Sequence, residues 1–276
     1  MIWGLMMGGW MGALLQDSED RYRDELEFLA SHDLHACQWS TRALLAMEQG
    51  RREELAGLLA EHDVHAVLSF HFNFFAQDRG QVQQGIDEAI EAIETLPGML
   101  RTPIVTTAAG TMHRFARQPS LAEQMDRLAE ALRPIAEAGR RAGCPVGIEN
   151  HGDYYCSDLV ELCRRTPHLG IFLDTGNTYL IGEPPLPAAE VAAPYVIGTH
   201  FKDHYVRPNK QARPLHFELR GAVPGSGDVG LREVHRILRE RSPAPDRLAM
   251  VFEIDPVEGM DQVEVLEKAL EFVRSL

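Results

Sequence analysis

Cysteine is scarce in this sequence. The 276 residues include only four cysteines, and no two of them form a Cys-x-x-Cys pair. Small disulfide-stabilised proteins and structural zinc domains need more cysteines at closer spacing. We therefore exclude both classes and expect a protein of a reducing compartment, the cytoplasm.

Positive charge is also scarce. Lys and Arg together number 27 against 41 Asp and Glu, which gives a net charge of −14. Proteins that bind nucleic acids neutralise phosphates with clustered basic side chains. We therefore expect no nucleic-acid partner.

Long uninterrupted apolar segments are missing as well. Residues 1–16 carry no charge, but four glycines interrupt them and no basic residue precedes them as in a signal peptide. The segment is also shorter than the ~20 residues that a membrane-spanning helix needs. We interpret it as a first buried strand with a glycine-rich turn, and expect no membrane partner.

The sequence does contain a regular alternation of short apolar runs and longer amphipathic segments. The predicted strands are Ile2–Met7, Leu34–Trp39, Val64–Phe70, Pro103–Thr107, Pro145–Glu149, Leu169–Asp174, Tyr195–His200 and Leu248–Glu253. The predicted helices are Glu19–Ala30, Arg51–Glu61, Gln81–Thr95, Leu121–Ala142, Ser157–Arg165, Leu186–Ala193, Leu231–Arg241 and Gln262–Ser275.

This alternation predicts parallel βαβ units. Eight units in a chain of this length predict a (β/α)8 TIM barrel that forms a single domain over residues 1–276. The alternative is a doubly wound α/β sheet, which the lack of a Gly-x-Gly-x-x-Gly segment after the first strand disfavours.

A short internal repeat supports the unit structure. Phe28–Ala36 resembles Leu58–Ala66, and each copy covers a helix end, a tight turn and a strand start. Such turns lie on the face of a barrel opposite the active site. We therefore expect the histidines of the repeat to stabilise turns (His32, His35, His62, His65).

Four consecutive predicted strands end at a residue type that binds metals: Glu149, Asp174, His200 and Glu253. Barrel active sites lie at the carboxyl ends of the strands. Carboxylates that converge there repel one another unless a cation joins them. The pattern predicts one divalent metal ion held by these four residues, and the alternative is a set of salt bridges to arginines.

The ligand types indicate which ion is expected. Three carboxylates and one imidazole favour Mn²⁺ or Mg²⁺, with Zn²⁺ or Co²⁺ as alternatives.

At these strand ends the sequence resembles a known family, the xylose-isomerase-like TIM barrels of the sugar phosphate isomerase/epimerase type. That family includes ketose 3-epimerases, hydroxypyruvate isomerases, and inosose isomerases and dehydratases. The likeness is carried by Ile148–His151, Leu173–Asn177, His200–Asp203, Gly225–Asp228 and Phe252–Glu253. It is close in the second half of the chain and limited to the strand–helix alternation in the first.

The resemblance implies the same four metal ligands. It also implies that Glu149 and Glu253 are the catalytic acid and base, on opposite faces of a bound ketose. Sugar epimerases of the family often have a histidine where this chain has Asn177, and an arginine near the position of Arg207. We expect both of these residues to bind substrate.

Four further residues are expected to bind substrate. His71 and His113 follow the third and fourth predicted strands, and His151 lies two residues beyond Glu149. Lys202 points the same way as His200, because side chains alternate along a strand. For Lys202 the alternatives are an ion pair with Asp203 and covalent chemistry.

Two loops stand out. Tyr179–Pro187 is rich in proline and glycine, and Tyr205–Gly227 is long, irregular and carries a net charge of +3. The second loop is expected either to cover an anionic substrate, to contact a second subunit, or to be solvated surface.

These observations predict an enzyme that moves a proton next to the carbonyl of a keto-sugar or related polyol ketone, through an enediolate. The predicted class is an isomerase or epimerase, with a metal-dependent dehydratase of a keto-inositol or keto-acid as the alternative. A more distant alternative is a DNA-repair nuclease resembling AP endonucleases, which Asn177 and the negative net charge disfavour. A non-catalytic sugar-binding protein is disfavoured by the complete ligand set. The expected partner is a small carbohydrate, and assembly into a homo-oligomer is left open.

Overall fold

The computed structural model describes residues 1–276. Its strands are β1 (Ile2–Leu5), β2 (Ala36–Ser40), β3 (His65–Ser69), β4 (Val105–Ala108), β5 (Val146–Glu149), β6 (Leu169–Asp174), β7 (Val196–Phe201), β8 (His204–Pro208), β9 (Phe217–Gly221) and β10 (Ala249–Phe252). Its helices are α1 (Arg21–Ser31), α2 (Thr41–Leu45), α3 (Gln49–Glu61), α4 (Arg79–Thr95), α5 (Leu121–Ala142), α6 (Cys156–Arg165), α7 (Asn177–Leu180), α8 (Pro185–Ala192), α9 (Leu231–Arg241) and α10 (Gln262–Arg274). Short 3₁₀ turns cover Met11–Leu15, Ala193–Tyr195 and Pro245–Arg247.

Eight of the strands form a closed parallel barrel in the order β1-β10-β7-β6-β5-β4-β3-β2. The prediction of a (β/α)8 TIM barrel is therefore confirmed, and every predicted barrel strand overlaps an observed one. Most of the buried apolar residues lie in one cluster of 68. Because the amphipathic helices place their apolar faces against the strands, this cluster fills the layer between helices and barrel.

A second, smaller cluster of six apolar residues fills the barrel interior: Ala36, Val67, Ile104, Phe172, Ala249 and Val251. Phe172 is its largest member and is fully buried. A Cβ atom at Gly198 would lie 2.9 Å from the Phe172 ring, and one at Gly147 would lie 3.2 Å from its Cβ. These two glycines therefore leave the space that the Phe172 ring occupies.

Two of the predicted loops contain regular structure that was not predicted. Tyr179–Pro187 includes the end of α7, which was not predicted, and the start of α8, which overlaps the predicted helix Leu186–Ala193. The expectation that Tyr205–Gly227 is irregular is wrong, because β8 and β9 pair there as an antiparallel hairpin outside the barrel. The physical reason is that cross-strand pairs such as Val206–Leu219 stabilise the hairpin over a distance that local patterns do not reveal.

Three of the four repeat histidines contact backbone carbonyl oxygens in or next to the turns. Nδ1 of His32 lies 2.8 Å from the Phe28 carbonyl oxygen, and Nδ1 of His65 lies 2.9 Å from that of Arg101. His35 has the same relation to the Asp63 carbonyl oxygen, at 3.0 Å. Their structural role is confirmed for these three.

Candidate metal centre

The four predicted ligands converge at the carboxyl end of the barrel. One ligand atom from each of Glu149, Asp174, His200 and Glu253 lies within 4.8 Å of the other three. Glu149, Asp174 and His200 are each two residues beyond an inward residue of the barrel (Gly147, Phe172, Gly198), and side chains two apart share a face of a strand. The strands therefore direct these side chains inward, directly above the Phe172 ring. The rings of Phe172 and His200 meet edge to face, with centroids 4.8 Å apart.

The surroundings of Asp174 suit a bound cation. Its side chain is fully buried, and its Oδ1 accepts hydrogen bonds from the backbone N–H groups of Gly176 (2.8 Å) and Asn177 (2.9 Å). Its Oδ2 has no hydrogen-bond partner. Leaving a buried carboxylate oxygen unpaired costs about 1–3 kcal/mol or more. A metal ion bound at Oδ2 would remove this penalty, so the residues present fit a cation.

His200 lies between the carboxylates. Its Nδ1 is 3.1 Å from Glu149 Oε1 and 3.1 Å from Glu253 Oε2. Its Nε2 is 2.6 Å from Gln38 Oε1, which accepts the Nε2–H hydrogen bond. Burial alone would lower the pKa of His200, but the surrounding carboxylates outweigh it and raise this pKa to about 9. Without a metal, the imidazolium therefore supplies part of the positive charge that the carboxylates require.

The ammonium group of Lys202 supplies a second positive charge next to the carboxylates. Its Nζ lies 2.7 Å from Glu253 Oε1 and 3.5 Å from Asp255 Oδ2. Burial disfavours the ionised form of Glu253, but the charges of His200 and Lys202 outweigh it and lower the pKa of that carboxyl. Asp174 behaves differently: burial, reinforced by the charge of Glu253, raises its pKa well above the ordinary value.

The predicted alternative of an ion pair between Lys202 and Asp203 is wrong. Both residues lie between β7 and β8, where Lys202 pairs with Glu253 and Asp255 while Asp203 binds other groups. Its carboxylate accepts four backbone N–H hydrogen bonds, at 2.9–3.2 Å, from His204, Gly225, Gly227 and Val229. Asp203 thereby fixes the segment that follows the hairpin to the barrel.

Two of the predicted substrate-binding histidines lie close to this centre. Burial lowers the pKa of His71, and the charge of Glu149 opposes this shift. The charges of His151 and His200 also act on His71, so its ring lies within electrostatic range of both. The His151 side chain is exposed, and its backbone N–H donates to Asp153 Oδ1 at 3.1 Å.

The other two predicted loop residues lie farther out. The exposed ring of His113 packs near Phe115, with ring centroids 6.4 Å apart. Arg207 is exposed on β8, and its guanidinium carbon lies 4.3 Å from the centre of the Tyr205 ring. Neither has a contact with the four converging residues.

Asn177 lies behind the centre. It is buried, its backbone N–H donates to Asp174, and its Nδ2 donates to the Asn150 carbonyl oxygen at 3.2 Å. In this structure Asn177 therefore holds Asp174 in place and ties the end of β6 to the end of β5.

Two residues of the centre were not predicted to belong to it. Gln38 orients His200, as described above. Asn150 forms a pair of hydrogen bonds with the backbone of Asp174, each 2.8 Å long. Asn150 lies in the segment that carries the family resemblance, and Gln38 occupies an inward position two residues beyond Ala36. Strand alternation would identify Gln38 only once the inward face of β2 is known.

None of the helices combines the length and apolar character that a bilayer crossing requires. The family model described as xylose isomerase-like TIM barrel matches residues 20–276 of the chain. No curated protein has significant sequence similarity to it.

Several solved structures have the same fold. A D-psicose 3-epimerase from Clostridium cellulolyticum H10, solved with D-tagatose, has a TM-score of 0.76 at 13% identity and covers 100% of this chain and 98% of its own. The probable 3-DHS dehydratase AsbF, involved in petrobactin synthesis in Bacillus anthracis, has a TM-score of 0.72 at 16% identity and covers 99% of each chain. A xylose isomerase-like TIM barrel protein from Mycobacterium smegmatis, in complex with magnesium, has a TM-score of 0.66 at 17% identity and covers 92% of this chain and 87% of its own. At these identities the likeness is one of fold.

Proposed function

This chain belongs to the family of xylose isomerase-like TIM barrels, and from that premise we propose that it is a metal-dependent enzyme. The proposed reaction is proton transfer next to the carbonyl of a keto-sugar or related polyol ketone, giving isomerisation or epimerisation. The proposed metal is Mn²⁺ or Mg²⁺, and the proposed ligands are Glu149, Asp174, His200 and Glu253.

One observation carries the proposal: three carboxylates and one imidazole meet within 4.8 Å in a buried site, and one carboxylate oxygen there has no partner. Oxygen-rich sites with one nitrogen suit Mn²⁺ and Mg²⁺. The solved relative that contains magnesium supports this choice. A divalent ion held there would polarise a substrate carbonyl and stabilise the negative charge of an enediolate.

Two glutamates suit the proton transfer. Glu149 ends β5 and Glu253 follows β10, and β6 and β7 lie between these strands in the barrel. The two carboxylates therefore approach the centre from different sides. One removes the proton next to the carbonyl, and the other delivers a proton to the opposite face or to the neighbouring carbon.

Lys202 suits a supporting role. Its ammonium group donates a hydrogen bond to Glu253 Oε1, which holds that carboxylate ionised and fixes its orientation. An ionised carboxylate is the form that accepts a proton, so this contact suits Glu253 to proton transfer. The remaining ammonium hydrogens are available to an oxygen of the substrate.

The fate of the enediolate determines the reaction class. Protonation on the opposite face of the same carbon gives an epimer, protonation at the neighbouring carbon gives an isomer, and loss of a β-hydroxyl gives a dehydrated product. The solved relatives include a 3-epimerase and a probable dehydratase, so a dehydratase is the second candidate.

The test is NMR analysis in D₂O of a panel of ketoses, keto-inositols and keto-acids, incubated with the Mn²⁺-loaded and the Mg²⁺-loaded protein. We expect deuterium next to the carbonyl of at least one recovered substrate or product. Glu149→Gln and Glu253→Gln should each abolish this exchange, because an amide cannot carry the proton. Glu258→Gln, the same chemical change at an exposed position, serves as the control and should leave exchange unchanged.

The outcomes have distinct meanings. A dehydrated product would assign the second candidate. Full exchange in a Gln variant would remove that glutamate from the mechanism, and a lack of exchange with every compound would contradict the proposed reaction.

A further inference from the structure

The β8–β9 hairpin has two different faces. Residues directly opposite each other in an antiparallel pair share a face, and faces alternate along each strand. One face carries Tyr205, Arg207, Glu218 and Arg220. The other, which we call the apolar hairpin face, carries Val206, Pro208, Phe217 and Leu219.

The apolar hairpin face is uncovered at its outer end. Phe217 is 60% exposed, and Leu215, at the adjoining tip, is 61% exposed. A two-stranded hairpin is at best marginally stable in water without a surface to pack on. The exposed end of this hairpin therefore lacks a packing partner within the chain.

The position of His204 shows what the inner end of the apolar hairpin face packs against. His204 starts β8 on the same face as Val206 and is only 4% exposed. Its ring packs so closely on Gly176 that a Cβ there would lie 2.8 Å from Nε2. Because Gly176 lies two residues beyond Asp174, the apolar hairpin face begins at the barrel mouth, next to the metal centre.

A groove lies on the far side of that mouth. It has a volume of about 580 Å³ between α2 and α4, and its large apolar residues are Leu45, Phe70 and Phe72. The groove also includes His71, which follows β3. Since β3 and β7 are four places apart in the ring of eight strands, the hairpin and the groove are on opposite sides of the barrel.

The charges of the two surfaces are complementary. At the hairpin tip, Lys210 forms no salt bridge and Arg213 donates only to carbonyl oxygens of its own turn. In the groove, Glu88 accepts a hydrogen bond from Gln84, and neither Glu88 nor Glu91 has a cationic partner. Arg42 is the one cation among the groove residues.

We propose that the hairpin is a dimerisation arm, and that its occupant is the groove of a second copy of this chain. Two copies with their mouths facing across a two-fold axis would each insert Leu215 and Phe217 into the other's groove. Such an interface is isologous: the arm of each copy meets the groove of the other, so the contact closes without leaving a free surface. Each arm then reaches His71 of the partner copy. The hairpin of one copy would therefore form part of the surface around the barrel mouth of the other.

The test is sedimentation velocity of the full-length protein without added metal or substrate, which makes it independent of the proposed function. The wild type should sediment as a dimer. Phe217→Asp should raise the dimer dissociation constant about 30-fold or more, the size of effect that loss of an interface hot spot produces. Val191→Asp, which places the same charge at a 46%-exposed apolar position on α8, should leave the dimer intact.

A charge exchange tests the pairing itself. Arg213→Glu should weaken the dimer, and combining it with Glu91→Arg should restore much of the lost affinity. A monomeric wild type, or a Phe217→Asp variant that dimerises normally, would overturn the proposal. A monomer in which Phe217→Asp raises KM would instead identify the hairpin as a cover for its own mouth, and a dimer that the charge exchange does not restore would reject the groove as the binding surface.

Discussion

His200 is the residue through which pH would act on the proposed metal centre. Its raised pKa keeps Nδ1 protonated at neutral pH, between two carboxylate oxygens 3.1 Å away. The Gln38 side chain occupies Nε2, so Nδ1 is the nitrogen directed at the carboxylates. A metal ion bound by these four residues would therefore compete with a proton for the same nitrogen.

This competition predicts that metal affinity depends on pH. Below a pKa of about 9, binding must displace the Nδ1 proton, so Mn²⁺ affinity should rise about tenfold or more for each pH unit. The rise should level off above about pH 9, where the imidazole becomes neutral. Competition titrations against a chelating dye at about pH 6, 7 and 8 would measure it, and an affinity independent of pH would contradict the assignment of His200 as a ligand.

The convergence of Glu149, Asp174, His200 and Glu253 could be predicted from the sequence because each one ends a recognisable apolar run. Gln38 could not be predicted as easily, because it lies inside the run that includes Cys37 and Trp39, and the run alone does not identify the inward face. The partner of Lys202 was missed for a related reason. Glu253 and Asp255 are about fifty residues away in sequence, and only the closed barrel brings them to the ammonium group.

Among the elements, the strands and long helices were predictable, while the hairpin and the short helices were not. Apolar periodicity is strong in an element such as α5, whose buried residues recur every three or four positions. The hairpin strands alternate too, but its connecting segment of Pro, Asn, Lys, Gln and Arg carries no two-residue turn signal. The α7 helix has only four residues, too few for a periodic pattern.

The packing of α1 on β2 depends on an unusual buried acid, Glu25. It is 4% exposed, its Oε2 accepts a hydrogen bond from Trp39 Nε1 at 3.2 Å, and its Oε1 has no partner. Burial raises the pKa of Glu25 to about 7, and the Trp39 hydrogen bond opposes this shift. The carboxyl is therefore harder to ionise in the folded protein than in the unfolded chain.

This difference predicts how stability depends on pH. Because the folded pKa is above the unfolded one, the contribution is complete below the ordinary pKa of 4.5 and is lost as pH rises through about 7. At about 1.4 kcal/mol per pKa unit, the loss is on the order of 3 kcal/mol. Thermal melts of the wild type and Glu25→Gln across this range would measure it. The variant should lose less stability between these pH values, and parallel pH profiles would contradict the account.

At the scale of the whole molecule, the barrel explains how residues from distant parts of the chain form one centre. The strand–helix alternation predicted the barrel, and the barrel places every strand end at the same mouth. On neighbouring strands, Phe172 and the two glycines beside it occupy inward positions. The predicted ligands two residues further along these strands point inward as well. The sequence did not predict three features outside the barrel and its helices. These are the hairpin, the groove between α2 and α4, and the segment that Asp203 fixes.

The central claim is that the four strand-end residues hold one divalent metal ion. The most direct measurement is anomalous X-ray diffraction from crystals soaked in Mn²⁺. We expect a single strong anomalous peak within coordination distance of Glu149, Asp174, Glu253 and Nδ1 of His200, with Asp174 bound through Oδ2. No peak at this position, or an ion held by other residues, would contradict it.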